Sequence, residues 1–295
     1  MKHIPVLLNE VIESLNPEPG NFFIDGTVDG GGHAREIIKK IEPGGIFLGI
    51  DWDESMVERL KESMESKKAK IILVHSNYKN IQEILKKNNL PKADGLLLDL
   101  GFSSEQIEES KRGFSFLKDE VLDMRYSREA GVQSAAEVVN SLNENDLADI
   151  FYKYGEERLS RRIAKKIVEE RRRKKIFMTS ELVGIIRAAV PKSYERGRIH
   201  PATRVFQALR IYVNRELENV EIILENLREI VKSGGRVAII TFHSLEDRLV
   251  KHYFRKMEKE NLCKILTKKP IVPGEEEIKS NPRSRSSKLR VIQIL

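Results

Sequence analysis

The stretch FFIDGTVDGGGH, Phe22 to His33, decides how this chain folds: an apolar run ends in Asp25, and four glycines and a histidine fall within the next eight positions. The apolar run reads as a strand buried on both faces, because it offers no polar side to water. His33 then opens the amphipathic helical pattern HAREIIKKI. A strand that passes through glycines into a helix is the first half of a βαβ unit. In open α/β sheets ligands bind beyond the carboxyl ends of such strands, where glycine lets the backbone approach them. Outward from this point the alternation continues through GIFLGID (45–51), ESMVERLKESM (54–64), AKIILVHS (69–76), YKNIQEILKKNN (78–89) and DGLLLDLG (94–101). This succession predicts an α/β fold, a doubly wound and mostly parallel sheet covered by helices on both faces.

The alternation then stops. From about Gln106 to Tyr212 the patterns are helical, as in ENDLADIFYKYG and TSELVGIIRAAV. A single long helix is expected over 202–233, stopped by Gly234 and Gly235, since glycine is the usual residue past a helix end. A fifth buried strand, RVAIITFHS (236–244), follows, then a helix over 245–259 and two weaker strands, CKILT and KLRVIQIL. The expected organisation is one sheet domain built from residues 1–107 and 213–295, with an inserted all-helical domain over 108–212.

Composition narrows the function. Cys263 is the only cysteine and the six histidines are scattered, so no cysteine-rich or paired-histidine metal site is expected. No apolar run approaches the ~20 residues needed to span a membrane. The N-terminal MKHIPVLLNEVIESL is interrupted by Asn9 and Glu10 and reads as an amphipathic helix rather than a secretion signal, so the expected location is the cytoplasm. The net charge of +7 is unevenly placed: residues 111–210 hold 22 basic and 14 acidic side chains, against 30 and 31 elsewhere. Within that segment Arg158 to Lys175 carries ten cations against Glu169 and Glu170. Such a concentration suits polynucleotide phosphates, and RGRIHPATR and NPRSRSS add further guanidiniums.

The glycine loop has the opposite electrostatics. Dinucleotides and S-adenosylmethionine both bind at such loops, and their charges separate them. A pyrophosphate brings about two negative charges and favours Gly-x-Gly-x-x-Gly spacing. Here Asp25 and Asp29 flank the loop, while Asp51 and Asp99 end neighbouring strands. At ~4 Å and an effective dielectric near 20 each like-charge pair costs about 4 kcal/mol before screening. The rim therefore favours a cation, which S-adenosylmethionine supplies as a sulfonium and an ammonium. Asp51, some twenty positions after the glycines, stands where a carboxylate usually accepts ribose hydroxyls.

The segments HIPVLLNEV, FIDGTVDGGGH, GIDWD, LLLDLGFSS, RGFSF, LDMR, SAAEVVN, YGEER, HPATRVFQALRI, ITFHSLEDR and NPRSRSSKLR together resemble the bacterial ribosomal RNA small subunit methyltransferase H family, from His3 to Arg290. The resemblance implies a class I, Rossmann-like methyltransferase with a helical insertion for substrate recognition. It implies methylation of N4 of a cytidine in the decoding region of 16S rRNA, with S-adenosylmethionine as cofactor and the 16S rRNA of the small ribosomal subunit as partner. Carried over position by position, it places the cofactor on Gly31, Gly32, His33, Asp51, Tyr78, Asp99 and Gln106. Tyr78 would border the adenine and Asp99 would lie near the transferred methyl. One departure is Asp29, where the family usually has glycine; if the site needs a positive φ, aspartate adopts it better than most residues, at a cost.

A cytosine amine is a poor nucleophile because its lone pair is delocalised into the ring. An acceptor at the amine orients it and takes its proton, and Asp99 is the catalytic candidate. The Asp-Pro-Pro-Tyr motif of amino-methylating enzymes is replaced by DLGF, whose Phe102 could flank an extruded base. HPATR and FHSLEDR either orient substrate or join the insertion to the sheet. Two alternatives stay open: a methyltransferase acting on DNA or protein, and a noncatalytic RNA-binding ribosome factor.

Overall fold

The computed structural model describes residues 4–101, 111–127, 132–195 and 200–295. The chain divides into two compact units, one of residues 1–103 and 217–295, the other of residues 104–216.

The first unit begins with α1 (Leu8–Leu15), β1 (Phe22–Asp25), α2 (Gly32–Ile41), β2 (Ile46–Asp51), α3 (Glu54–Ser63), β3 (Lys70–His75), a 3₁₀ turn (Tyr78–Asn80), α4 (Ile81–Lys87) and β4 (Ala93–Asp99). The second unit holds α5 (Ala135–Ser141), α6 (Glu144–Gly155), α7 (Ser160–Arg171), α8 (Thr179–Ala189), α9 (Lys192–Glu195) and α10 (Ala202–Asn214). After α11 (Glu216–Glu225) and α12 (Leu227–Ile230), the first unit resumes with β5 (Val231–Thr241), α13 (Ser244–Lys259), β6 (Cys263–Ile265), α14 (Glu275–Ser280), a 3₁₀ turn (Pro282–Ser286) and β7 (Lys288–Ile294).

The seven strands run in the order β3-β2-β1-β4-β5-β7-β6, parallel through β5, with β7 and β6 antiparallel at the far side. Side-chain alternation along each strand explains the two layers of helices. Ile24, Leu48, Ile50, Leu96, Leu98 and Ile239 point to one face, where α4, α11 and α13 bring Ile84, Leu224 and Phe254. Phe23, Phe47, Leu97, Ala238 and Ile240 point to the other, where α1 and α2 bring Val11, Ile37 and Ile41. Each fully buried side chain of this size contributes about 1.5–3 kcal/mol. The sheet order changes direction between β1 and β4, the point at which such sheets open a crevice at their carboxyl edge.

The helical unit packs around Phe151 of α6, Ile163 and Ile167 of α7, Leu182 and Ile186 of α8, and Val205 and Leu209 of α10. Its helices start where side chains satisfy free N–H groups: Ser134 and Glu137 form a reciprocal cap on α5, and Asn143 caps α6. The sole strand pairing among its described residues is an isolated bridge, Val121 to Met178.

One expectation is corrected. The helix expected over 202–233 is broken twice, and β5 begins at Val231. Asn214 is 2 % exposed, its amide donating to the Met124 and Arg210 carbonyls at 2.8 and 2.9 Å, and Arg215 turns left-handed with φ 51°. The tertiary bond to Met124 outweighs helix continuation there. Gly234 and Gly235 do not stop a helix but lie within β5, where the register against β4 jumps from Ala93↔Val231 to Gly95↔Arg236 and Gly234 has φ 82°.

Candidate functional site

Three adjacent parallel strands end in aspartate: Asp51 on β2, Asp25 on β1 and Asp99 on β4. The loop between β1 and α2 is tied to all of them. Thr27 N–H donates to Asp25 Oδ1 at 3.1 Å, Thr27 Oγ1 accepts from Asp99 N–H at 2.7 Å, and Asp29 N–H donates to Asp51 Oδ2 at 2.8 Å. The other oxygen of Asp51 accepts from Asp53 N–H at 2.8 Å. Asp29, where the family usually has glycine, does sit at positive φ, 43°. Gly31 has φ 74°, and a side chain there would meet Met64 and Leu60, while at Gly32 it would meet Pro5. Both positions thus have a backbone or packing reason to be glycine, besides any ligand.

Burial makes these carboxylates costly. Asp25, 1 % exposed, is pushed up to about 7 by desolvation and by the charges of Asp99 and Asp51, against the opposing Thr27 N–H. Asp51 rises to about 6, again mainly by desolvation, with its backbone N–H partners pulling the other way. Such a site gains most from a ligand that carries positive charge to it.

His33 stands in the first turn of α2. Its Nε2 faces the Val6 carbonyl at 2.9 Å and its Nδ1 lies 4.0 Å from Asp99 Oδ2. Burial lowers its pKa to about 4, so near neutral pH it is uncharged, donates from Nε2 and presents a bare Nδ1. The contact with Asp99 is therefore not an ion pair. Tyr78 opens the 3₁₀ turn after β3, half-buried against the core and close to Gly26. Gln106 and Phe102 lie outside the described residues.

Two features have no signature in the sequence. The first is an N-terminal strap. Pro5 packs on Gly32 and Val6 holds His33, while the strap is itself held by Glu277 Oε1, which accepts from Leu7 N–H at 2.9 Å, and by Asn281, whose amide donates to the Ile4 carbonyl at 3.2 Å. These partners are 270 and 277 residues apart, beyond the reach of any local pattern. The second is Phe242, whose ring fills the place of a side chain at Gly101, two residues after Asp99; a Cβ there would lie 2.5 Å from the ring. The Gly101 N–H in turn donates to Asp99 Oδ1 at 3.2 Å.

A sequence model of the MraW methylase family matches residues 1–295. The chain belongs to the MraW methylase family. It is 45% identical to the ribosomal RNA small subunit methyltransferase H of Clostridioides difficile, with 99% of this chain and 98% of that protein covered. It is 47% identical to the protein of the same name from Clostridium botulinum (strain Loch Maree / Type A3), with 98% of each covered. The family resemblance drawn from the motifs is thereby confirmed. A solved rRNA methylase from Streptococcus thermophilus superposes with a TM-score of 0.44 at 8% identity, over 98% of this chain and 93% of that one.

In this MraW-family chain the two undecided motifs have local roles. In FHSLEDR, Glu246 accepts from Phe242 and His243 N–H at 2.9 and 3.3 Å and so caps α13, while Asp247 holds Lys288 and Arg290 of β7 at 3.0 and 2.7 Å. In HPATR, His200 stacks on Phe116 at 4.8 Å and its Nδ1 accepts from Ala202 N–H at 3.1 Å, starting α10. Arg204 donates to the Tyr194 hydroxyl at 3.3 Å.

The cations of the helical unit fall into two sets. Lys166 pairs with Glu170 at 2.7 Å, Lys174 with Glu181 at 2.5 Å, Arg173 approaches Glu170 at 3.9 Å, and Arg171 donates to the Val139 carbonyl at 2.7 Å. Arg158, Arg161, Arg162, Lys165, Arg172 and Lys175 are exposed, and among the described residues no ion pair or hydrogen bond engages their head groups. Along α7, Arg161, Arg162 and Lys165 fall on the side opposite the buried Ile163, Ala164 and Ile167.

Proposed function

We propose that this protein uses S-adenosylmethionine to methylate N4 of a cytidine in the decoding region of 16S rRNA within the small ribosomal subunit. The coarser part of this reading, a small-subunit rRNA methyltransferase, rests on membership of the family and on near-full-length relatives of that name. The observation that carries the site is the convergence of Asp25, Asp51 and Asp99 at one sheet edge, two of them with raised pKa, which suits a cationic cofactor and disfavours a pyrophosphate. S-adenosylmethionine supplies an electrophilic methyl on a sulfonium.

The chain's own residues take the other roles. Asp51, already accepting two backbone N–H groups, keeps lone pairs for ribose hydroxyls. Gly31, Gly32 and His33 border the methionine end, Tyr78 the adenine, and Gln106 completes the cofactor set. Asp99, with 16 % of its side chain exposed, orients the target amine and accepts its proton. Residues 1–107 and 213–295 form the cofactor-binding domain and 108–212 the substrate-recognition domain. The exposed cations of α7 support that second role, because a head group without an internal partner is available to phosphate.

The test is methylation of small subunits and of naked rRNA with labelled cofactor, followed by nucleoside analysis. N4-methylcytidine is expected. Methyl on carbon five or on a ribose oxygen, or transfer only to DNA or protein, overturns the reading.

A further inference from the structure

The contact between His33 and Asp99 has a chemical peculiarity. Neutral His33 donates from Nε2 to the Val6 carbonyl, so Nδ1 carries a lone pair, and it faces Asp99 Oδ2 across 4.0 Å. Two acceptors are thus held towards each other, His33 at 6 % exposure and Asp99 at 16 %, just beyond hydrogen-bond distance. The arrangement is not accidental packing of a loose ring. Pro5 and Val6 lie against the first turn of α2, and Glu277 and Asn281 anchor the strap that carries them. What such a pair lacks is one proton between its two members.

We propose that His33 is a positioning residue for proton removal: its Nδ1, bared by the Val6 carbonyl, receives the hydrogen bond of Asp99 once Asp99 has taken the proton of the methylated amine. The inference rests on the amine reading given above. As the nitrogen gains a methyl group it must lose one hydrogen. The N–H bond breaks with its electron pair staying on nitrogen, and the proton forms an O–H bond at Asp99 Oδ2. A protonated carboxyl in this site then has an acceptor to donate to, and His33 stays neutral throughout. The proton leaves to solvent after product release.

Among the described residues, Asp25 from β1, Asp51 from β2, Asp29 from the loop and Arg35 from α2 are the charged groups at this end of the sheet. Arg35 is turned away, donating to the Gly30 carbonyl at 2.7 Å.

The two ring nitrogens can be replaced separately. In His33→Gln the amide takes the place of Nε2 and keeps a donor for Val6 but offers Asp99 nothing; in His33→Asn it takes the place of Nδ1 and keeps an acceptor. Methylation of small subunits is measured for both variants with S-adenosylhomocysteine affinity by calorimetry and the solvent deuterium effect on kcat. The expected result for His33→Gln is a kcat 10–100-fold lower, KM for the subunit and S-adenosylhomocysteine affinity within about threefold of wild type, and a larger solvent deuterium effect. His33→Asn is expected to recover most of the rate. An unchanged kcat in His33→Gln, or a loss of S-adenosylhomocysteine affinity as large as the loss of rate in both variants, overturns the proposal. Should His33→Gln fail to fold, His33→Asn decides: normal cofactor affinity with a kcat as low as that of Asp99→Asn also overturns it. Nucleoside analysis of the wild-type product judges the amine reading separately, since methyl on carbon or ribose oxygen would defeat that reading whatever His33 does.

Discussion

At the scale of single residues, the site is built from groups that cost stability in the absence of a ligand. Asp25 has a folded pKa of about 7 against 3.8 as the ordinary value. Between those values the folded chain keeps a proton that the unfolded chain has released, so this group's contribution to stability falls as pH rises through the window. Asp25→Asn should therefore raise the melting temperature of the free protein at pH 8, by the equivalent of up to about 4 kcal/mol, and leave it unchanged near pH 4. The same variant should bind cofactor more weakly, which calorimetry checks. Gly101 makes a complementary case of steric rather than electrostatic cost. Gly101→Ala would place a methyl group 2.5 Å from the Phe242 ring and disturb the N–H that holds Asp99 Oδ1. A destabilisation of about 1–3 kcal/mol is expected in denaturant titration, with a fall in kcat larger than any change in KM.

At the scale of elements, α7 and the residues flanking it separate structural from available charge. Arg158→Ala, Arg162→Ala and Lys165→Ala combined should weaken rRNA binding and flatten its dependence on salt by roughly 0.7–0.9 for each phosphate no longer neutralised. Affinity for S-adenosylhomocysteine should not change. Lys174→Ala, by contrast, removes a cation already neutralised by Glu181 and should leave the salt slope unchanged. Filter binding over a range of salt distinguishes the two. The junction between α10 and α11 depends on one amide: Asn214→Ala leaves the buried Met124 carbonyl and the Tyr126 N–H without their partner, and should cost about 1–3 kcal/mol. Helical patterning alone reads straight through this junction, because Asn214 and Arg215 are tolerable helix residues until a distant carbonyl competes for the amide.

At the scale of the whole molecule, charge is partitioned: the excess of cations lies in 111–210 and the buried carboxylates at the edge of the sheet. Binding a cation favours the ionised forms of Asp25 and Asp51, so affinity for the sulfonium cofactor should increase from pH 6 to pH 8, up to about tenfold for each proton displaced. S-adenosylhomocysteine, without the sulfonium charge, should respond less, and calorimetry in buffers of different ionisation enthalpy would detect the released protons. No described helix is long and apolar enough to cross a membrane. The alternation of strands and helices up to β4, the aspartates at strand ends and the family itself were legible in the residues, because apolar periodicity and short motifs are local properties of a chain. The strap over His33, the ring of Phe242 on Gly101, the tautomer of His33 and the division of cations into paired and available were decided only in three dimensions. Each depends on groups far apart in sequence, whose hydrogen bonds and burial exist only once the fold has brought them together.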